Sequence, residues 1–429
     1  MVAPLPEYPA KTHARYLATL LERTGYLDID GELAVPISSL FVPGEGRMIG
    51  VLVALDSAGN EVILKAFSGT LTAERDLQGW VPHPMETEVY TAFLAKWDAP
   101  IKKLGAAIAE ASGPRKQELI DKRAALSRVA LDEYNTRFTL KTIDGTSRSL
   151  TEIFDTPIPT GSGDCCAPKL LHYAFTHNLR PISMAECFFG AAKGGERVHK
   201  TFYPPCTERC ALILKAMLGL DIRYRDAHLL VVNKESGTLS VPGKVSRESV
   251  ETQVRRLFVQ APRQCAAHRL DMDTSGLLII ALTKEALSAL HQLFREQAVY
   301  REYEALLEGV IKTEQGKISL AFSADRDNRP YQRYDPIEGK VGITRFARKA
   351  VEKQADGSLA TRMRFIPLTG RTHQLRLHAA HPEGLDSPIL GDRLYGSGLV
   401  DRLYLHATLL SFIHPMTGEQ VTIESPPPF

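Results

Sequence analysis

Two acidic residues, Asp271 and Asp273, stand beside a basic pair, His268 and Arg269, and a turn, Thr274-Ser275-Gly276, directly ahead of the apolar run Leu277 to Leu282. A turn at the mouth of a buried strand can hold a reactive carboxylate rigidly. Spacing alone favours a plainer account, a loop ion pair between Asp271 and Arg269. A second group of chemically able residues lies earlier, in GSGDCCAPKLLHYAFTHNLRP and HKTFYPPCTERC. Cys165, Cys166, Cys206 and Cys210 could make a four-cysteine zinc site, with His172, His177 or Cys187 as substitutes. Adjacent cysteines and a Cys-x3-Cys pair differ from the two Cys-x2-Cys knuckles that mark zinc, so these read as reduced thiols in a small core, with no metal expected. GSGDC lacks the Gly-Lys-Ser/Thr ending of a phosphate loop and reads as turn chemistry.

The elements that must position these residues fall into two domains, 1–212 and 213–429. In the first, Gly44 to Gly69 alternates short β-branched runs around Ser57-Ala58-Gly59-Asn60, the pattern of a β-hairpin. The pattern turns helical after Glu86. From about 99 to 136 it is rich in Ala, Lys, Arg and Glu and is broken at Ser112-Gly113-Pro114, which parses as a helical hairpin. Ile101, Leu104, Ile108, Leu119, Leu126 and Val129 keep its apolar spacing. A Cys-containing, loop-rich stretch, 156–210, follows. The second domain begins with strand and turn signals around the apolar strand Leu229 to Val232. Strands and helices of mixed order then suggest an α+β domain, since regular βαβ repeats are absent.

Composition bounds the rest. The 429 residues are 44% hydrophobic and 24% charged, a globular mixture long enough for two cores. No apolar run is long enough to cross a bilayer, and MVAPLPEYPAKTHARYLATLLERTGY is too polar for a signal peptide, so a cytoplasmic protein is expected. The net charge of +2 argues against a strongly basic nucleic-acid wrapper, while the surplus of positive charge after Ile213 favours the second half as the part that meets a polyanion.

The segment HRLDMDTSG resembles the signature of the RluA family of pseudouridine synthases. The resemblance continues in order through VYREYEALLEG (299–309), TGRTHQLRLH (369–378), PILGDRLYG (388–396) and LHATLLSFIHPMTGE (405–419). It implies an isomerase that detaches uracil from C1′ of a uridine in RNA, turns it and reattaches it through C5. It further implies a catalytic domain with a central mixed, mainly antiparallel sheet flanked by helices, preceded here by a smaller α+β extension. No metal or organic cofactor is implied, and the partner is a structured ribosomal or transfer RNA met by a monomer.

By the same resemblance Asp271 is the catalytic carboxylate, Tyr303 the active-site tyrosine and Arg376 the guanidinium that should pair with Asp271. Breaking a glycosidic bond builds positive character at the sugar, which an ionised carboxylate can stabilise or trap. A nearby guanidinium would keep that carboxylate charged in a dry pocket, with Arg371 the alternative to Arg376. Substrate contacts are expected from Arg269, Arg371, His373, Gln374 and Thr274. Arg269 could enter the stack vacated by a flipped base, or only brace the loop. His268 reads as structural. The family more often carries Lys where this chain has Arg301, which leaves the cation and alters its geometry. An RNA-binding factor without turnover would have lost Asp271, Tyr303 or Arg376. A glycosidase would need a second carboxylate, for which Asp273 is available.

Overall fold

A computed structural model describes residues 3–27, 35–69, 77–155, 157–243, 248–398 and 400–429. It divides into two units, Met1–Gly219 and Leu220–Phe429.

In the first unit, Ala10–Thr24 (α1) buries Ala10, Ala14, Leu17, Ala18 and Leu21, the repeat of one helix face. Arg47–Leu55 (β1) and Glu61–Phe67 (β2) form a hairpin whose turn is tied by the Asp56 carboxylate, which accepts the Ala58 and Asn60 amides at 2.9 and 2.8 Å. Thr87–Glu110 (α2) and Gly113–Arg137 (α3) make a helical hairpin longer than the 99–136 read from composition. No α2 side chain is fully buried and Val129 is exposed, so Ala-Lys-Glu enrichment marked helix here without marking a core. A small ribbon, Thr139–Lys141 (β3) with Ser147–Ser149 (β4), leads into the short helix Leu150–Ile153 (α4).

The stretch 156–210 is not loop-rich throughout. It carries Cys166–Thr176 (α5) and Arg180–Phe189 (β5). Cys166, Leu170, Leu171 and Ala174 recur at helical spacing behind a flank of Gly, Pro and Cys that reads as loop. The sheet order is β2-β1-β5. Ile49, Val51 and Val53 face a cluster that includes α1, whereas α5 meets the other face at Gly50, where a Cβ would lie 2.5 Å from that of Cys166. The division between units falls later than the 212/213 boundary because Cys210–Leu218 (α6) packs in the first: Ile213, Leu214 and Met217 are buried, and the Ile143 amide donates to the Met217 carbonyl at 2.8 Å.

The second unit is α+β and holds one ten-stranded sheet. Its strands are Ile222–Arg225 (β6), Leu229–Lys234 (β7), Ser275–Ala281 (β8), Tyr300–Glu308 (β9), Gln315–Ala324 (β10), Gln332–Tyr334 (β11), Lys340–Lys353 (β12), Leu359–Pro367 (β13), Leu405–Ile413 (β14) and Gln420–Glu424 (β15). They run in the order β11-β10-β12-β13-β9-β14-β8-β7-β6, with β15 paired to β14. Pairing is antiparallel except between β14 and β8, so the sheet is mixed and mainly antiparallel. β8 is buried along its whole length, as its run of Leu and Ile requires. Val250–Leu257 (α7), Lys284–Arg295 (α8) and Gln374–Ala380 (α9) are its helices. The hydroxyls of Ser249 and Thr283 cap α7 and α8, accepting the Thr252 and Ala286 amides at 3.3 and 3.2 Å. Among the described residues no helix is long and apolar enough to cross a membrane.

Candidate active site

Asp271 lies in the loop that feeds β8, four residues before the strand begins, and that loop is tied down along its length. The buried Glu251 carboxylate of α7 accepts the Cys265 and Ala266 amides at 2.7 and 2.8 Å. The Ser240 hydroxyl accepts the Leu270 amide at 3.0 Å and donates to the Leu270 carbonyl at 2.8 Å. Beyond Asp271, the Lys234 ammonium donates to the carbonyls of Glu235, Thr238 and Met272 at 2.9, 2.7 and 2.8 Å, and the Thr274 amide closes the turn on the Asp271 carbonyl at 3.2 Å. Burial pulls the Lys234 pKa down to about 7, against the opposing charges of Asp271 and Asp273. Backbone anchored on both sides of one residue is the means by which a loop presents a side chain as precisely as a strand would.

Gly276 completes the presentation. Its φ is +114°, and a Cβ there would lie 2.4 Å from the backbone of Ala407, its parallel partner on β14. Only glycine lets β14 approach β8 this closely. His268 is structural: its Nε2 accepts the Ile279 amide at 3.1 Å, and burial, with Arg301 adding, lowers its pKa to about 3.

Tyr303 lies on β9 between Phe365 of β13 and Ala407 of β14, only 7% exposed. Burial pushes its hydroxyl pKa up, with Arg301 opposing and Asp271 adding, so the phenol holds its proton at neutral pH. Arg301, two residues earlier, points to the same face. Its guanidinium lies 5.6 Å from the Phe294 ring centre and donates weakly to the Pro367 carbonyl, at 3.4 Å, while its buried Nε finds no partner.

The third element is α9 with the loop before it. Arg376 does not form the expected ion pair with Asp271. Its Nε and a terminal nitrogen donate to Asp392 at 2.8 and 2.5 Å, both side chains being almost wholly buried. The Asp392 carboxylate also accepts the Leu394 and Tyr395 amides at 2.9 and 3.1 Å, so its lone pairs are well used. Burial works against the Arg376 charge, but its hydrogen bonds to Asp392, then the charges of Asp392 and Asp271, raise its pKa. Asp271 thus acts on Arg376 through space while Asp392 holds it.

Gln374 is also corrected. Its amide oxygen accepts the Thr369 hydroxyl and the Arg371 amide, and its nitrogen donates to the Ile343 carbonyl and the Thr344 hydroxyl. All four bonding positions are taken within the protein, which leaves none for a substrate. His373 caps α9 in the left-handed region at φ 55°, an uncommon conformation for a non-glycine residue, with its Nδ1 2.8 Å from the Tyr395 hydroxyl. Burial lowers its pKa, Asp271 opposing.

These segments enclose one cleft of about 510 Å³, within the ordinary range for ligand sites. Asp271, Tyr303, Arg376, Arg269, Arg371, His373, Gln374 and Thr274 all line it. Among the described lining residues Asp271 is the one carboxylate, and it shares the cleft with five arginines, 269, 295, 301, 371 and 376. Among the described residues no hydrogen bond or ion pair reaches its carboxylate. Asp273 does not line the cleft. Arg269 and Arg371 are exposed at its rim, and Arg371 is steadied by the Val341 carbonyl at 3.1 Å. Sequence reading missed Asp392, Lys234 and Arg295, and noted Arg301 only as a departure. Asp392 lay in the quoted block PILGDRLYG, and Lys234 ends an apolar strand, a place where a charge needs a reason.

A family model described as RNA pseudouridylate synthase matches residues 228–381. The dual-specificity RNA pseudouridine synthase RluA of Haemophilus influenzae is 41% identical over 212 residues, 48% of this chain and 92% of that protein. Its Escherichia coli K12 namesake is 40% identical over 216 residues, 49% of this chain and 94% of that protein. A solved structure, human RNA pseudouridylate synthase domain containing 1, is 31% identical, covers 49% of this chain and 84% of its own, and superposes with a TM-score of 0.42. Identity at this level across nearly the whole of those relatives places the chain in the RluA-type family of RNA pseudouridine synthases, which are isomerases.

Proposed function

We propose that the chain isomerises uridine in ribosomal or transfer RNA through nucleophilic attack by Asp271 on a nucleotide flipped into the arginine-lined cleft. The observation that carries this reading is the lone carboxylate, unengaged by hydrogen bond or ion pair among the described residues, on a cleft wall otherwise charged by five arginines. A polyanion is drawn to such a cleft, and the one anionic side chain in it is the group left to meet positive character at C1′. As the N1–C1′ bond breaks, its electron pair leaves with uracil while Asp271 stabilises or bonds to C1′. The base turns and C5 bonds to C1′, releasing the Asp271 carboxylate with its electron pair; the C5 proton departs and N1 gains one, so no net atom or electron is exchanged. A two-carboxylate glycosidase is disfavoured, since Asp273 does not line the cleft.

In this scheme Arg376, oriented by Asp392, directs charge toward Asp271, and Tyr303 packs against the base. Because Tyr303 is held neutral, it relays a proton only by passing on its own as it takes the one from C5. Arg269 and Arg371, at the rim, grip phosphates or fill the vacated stack, offsetting the few kcal/mol that extrusion costs. We infer that the reaction belongs to the second unit, with the protein acting as a cytoplasmic monomer. Tyr303→Phe should lower the single-turnover rate while leaving RNA affinity nearly unchanged, because the ring survives; a loss confined to affinity would remove the relay.

The reading as a whole is tested by mapping pseudouridine in total RNA from cells lacking this protein. Particular uridines should lose the modification and regain it on complementation with the intact chain but not with Asp271→Asn. A map identical to that of the parent cells would overturn it.

A further inference from the structure

The first unit contains a cluster that this function does not use. Cys165, at the N-terminal boundary of α5, Cys206, in the turn before α6, and Cys210, the first residue of α6, bring their sulfurs within 4.8 Å of one another. α5 and α6 pack together, and the three thiols meet where the helices begin. We propose that Cys165, Cys206 and Cys210 form a three-thiolate zinc site, with water in the fourth position.

The direction in which each thiol turns supports a shared ligand over ordinary packing. The adjacent thiol behaves differently: Cys166 turns into the sheet, donating to the Met48 carbonyl at 3.2 Å and toward the Ala66 carbonyl at 3.6 Å, so the site uses Cys165 and not its neighbour. The three clustered thiols, by contrast, lie within 4.8 Å of one another.

The geometry suits tetrahedral zinc. With Zn–S bonds of about 2.3 Å, sulfurs in such a site stand about 3.8 Å apart, so the present triangle closes by small rotations about Cα–Cβ. All three cysteines are free thiols, and three sulfurs cannot all be joined in disulfides with one another. Soft thiolates select zinc over the hard cations magnesium and calcium. Binding would deprotonate each thiol, releasing its proton to solvent. Among the described residues no fourth Cys, His, Asp or Glu offers a donor atom inside the cluster, which leaves that position to water. The buried Glu186 carboxylate lies nearby, but one of its oxygens is engaged by the Ala167 amide at 2.7 Å.

The test uses the full chain, purified under reducing conditions and stripped with a chelator, titrated with Co²⁺ alone. One equivalent should produce thiolate-to-cobalt charge-transfer absorption in the near ultraviolet with intense visible bands of tetrahedral cobalt, and Zn²⁺ should bleach both. Cys206→Ser and Cys210→Ser should lose the charge-transfer band, whereas Cys166→Ser should keep it. Absence of the band in the unaltered chain would overturn the proposal even if the serine variants failed to fold. So would a band that survives Cys206→Ser, or a mass showing that two of the three cysteines are joined as a disulfide in the freshly reduced protein.

Discussion

Asp271→Asn should abolish pseudouridine formation, lowering the rate by on the order of 10³-fold or more, the scale on which loss of a nucleophile acts. The exchange is nearly isosteric, and the loop it sits in is held through backbone groups of residues 265, 266, 270, 272 and 274, none of which depends on the carboxylate. Folding stability should therefore change little. RNA affinity should be kept or slightly improved, because the substitution removes the only negative charge among the residues lining a cleft with five arginines. Single-turnover assays on a mapped substrate, set beside RNA binding at fixed salt, separate the two effects. Turnover by the variant within tenfold of the unaltered chain would sink the nucleophile assignment. Equal loss of binding and rate would instead make Asp271 a folding residue.

The loop around Asp271 was legible in the sequence because its chemistry is local. HRLDMDTSG carries the carboxylate, the turn and the glycine within one short segment, and the following Leu-Ile run is a buried strand on any reading. The gathering of Tyr303, Arg371 and His373 around that carboxylate followed from ordered blocks, and all of them line the cleft. What failed was partner choice. The sequence pairs Arg376 with Asp271, but two carboxylates compete for it, and Asp392 wins by offering two oxygens to a guanidinium that is almost wholly buried. Gln374 differs for a related reason: its amide oxygen is taken by Thr369 and Arg371 nearby, and its amide nitrogen by residues about thirty positions away on β12, which no local pattern encodes. The cysteines show the same limit in miniature. Cys165 is extended and Cys166 begins a helix, so adjacent side chains diverge, one to the thiol cluster and one into the sheet.

The Arg376–Asp392 pair gives the second large effect, because it separates stability from chemistry. Asp392→Asn keeps an oxygen for the Leu394 and Tyr395 amides but leaves the Arg376 charge buried without its counter-ion. Removing one partner of a buried ion pair costs about 3–5 kcal/mol, so the midpoint of urea unfolding should fall sharply. Arg376→Gln alone should destabilise comparably, by stranding the Asp392 carboxylate. The double variant, Arg376→Gln with Asp392→Asn, replaces the ions by two amides that can still bond to each other, and should recover at least half of the lost stability. Activity should not return, because the buried guanidinium whose charge couples to Asp271 is then gone. A double variant as unstable as either single would show that the pair is not the unit described. One that regained both stability and turnover would show that Arg376 only braces α9, and that the field at Asp271 comes from the other arginines of the cleft.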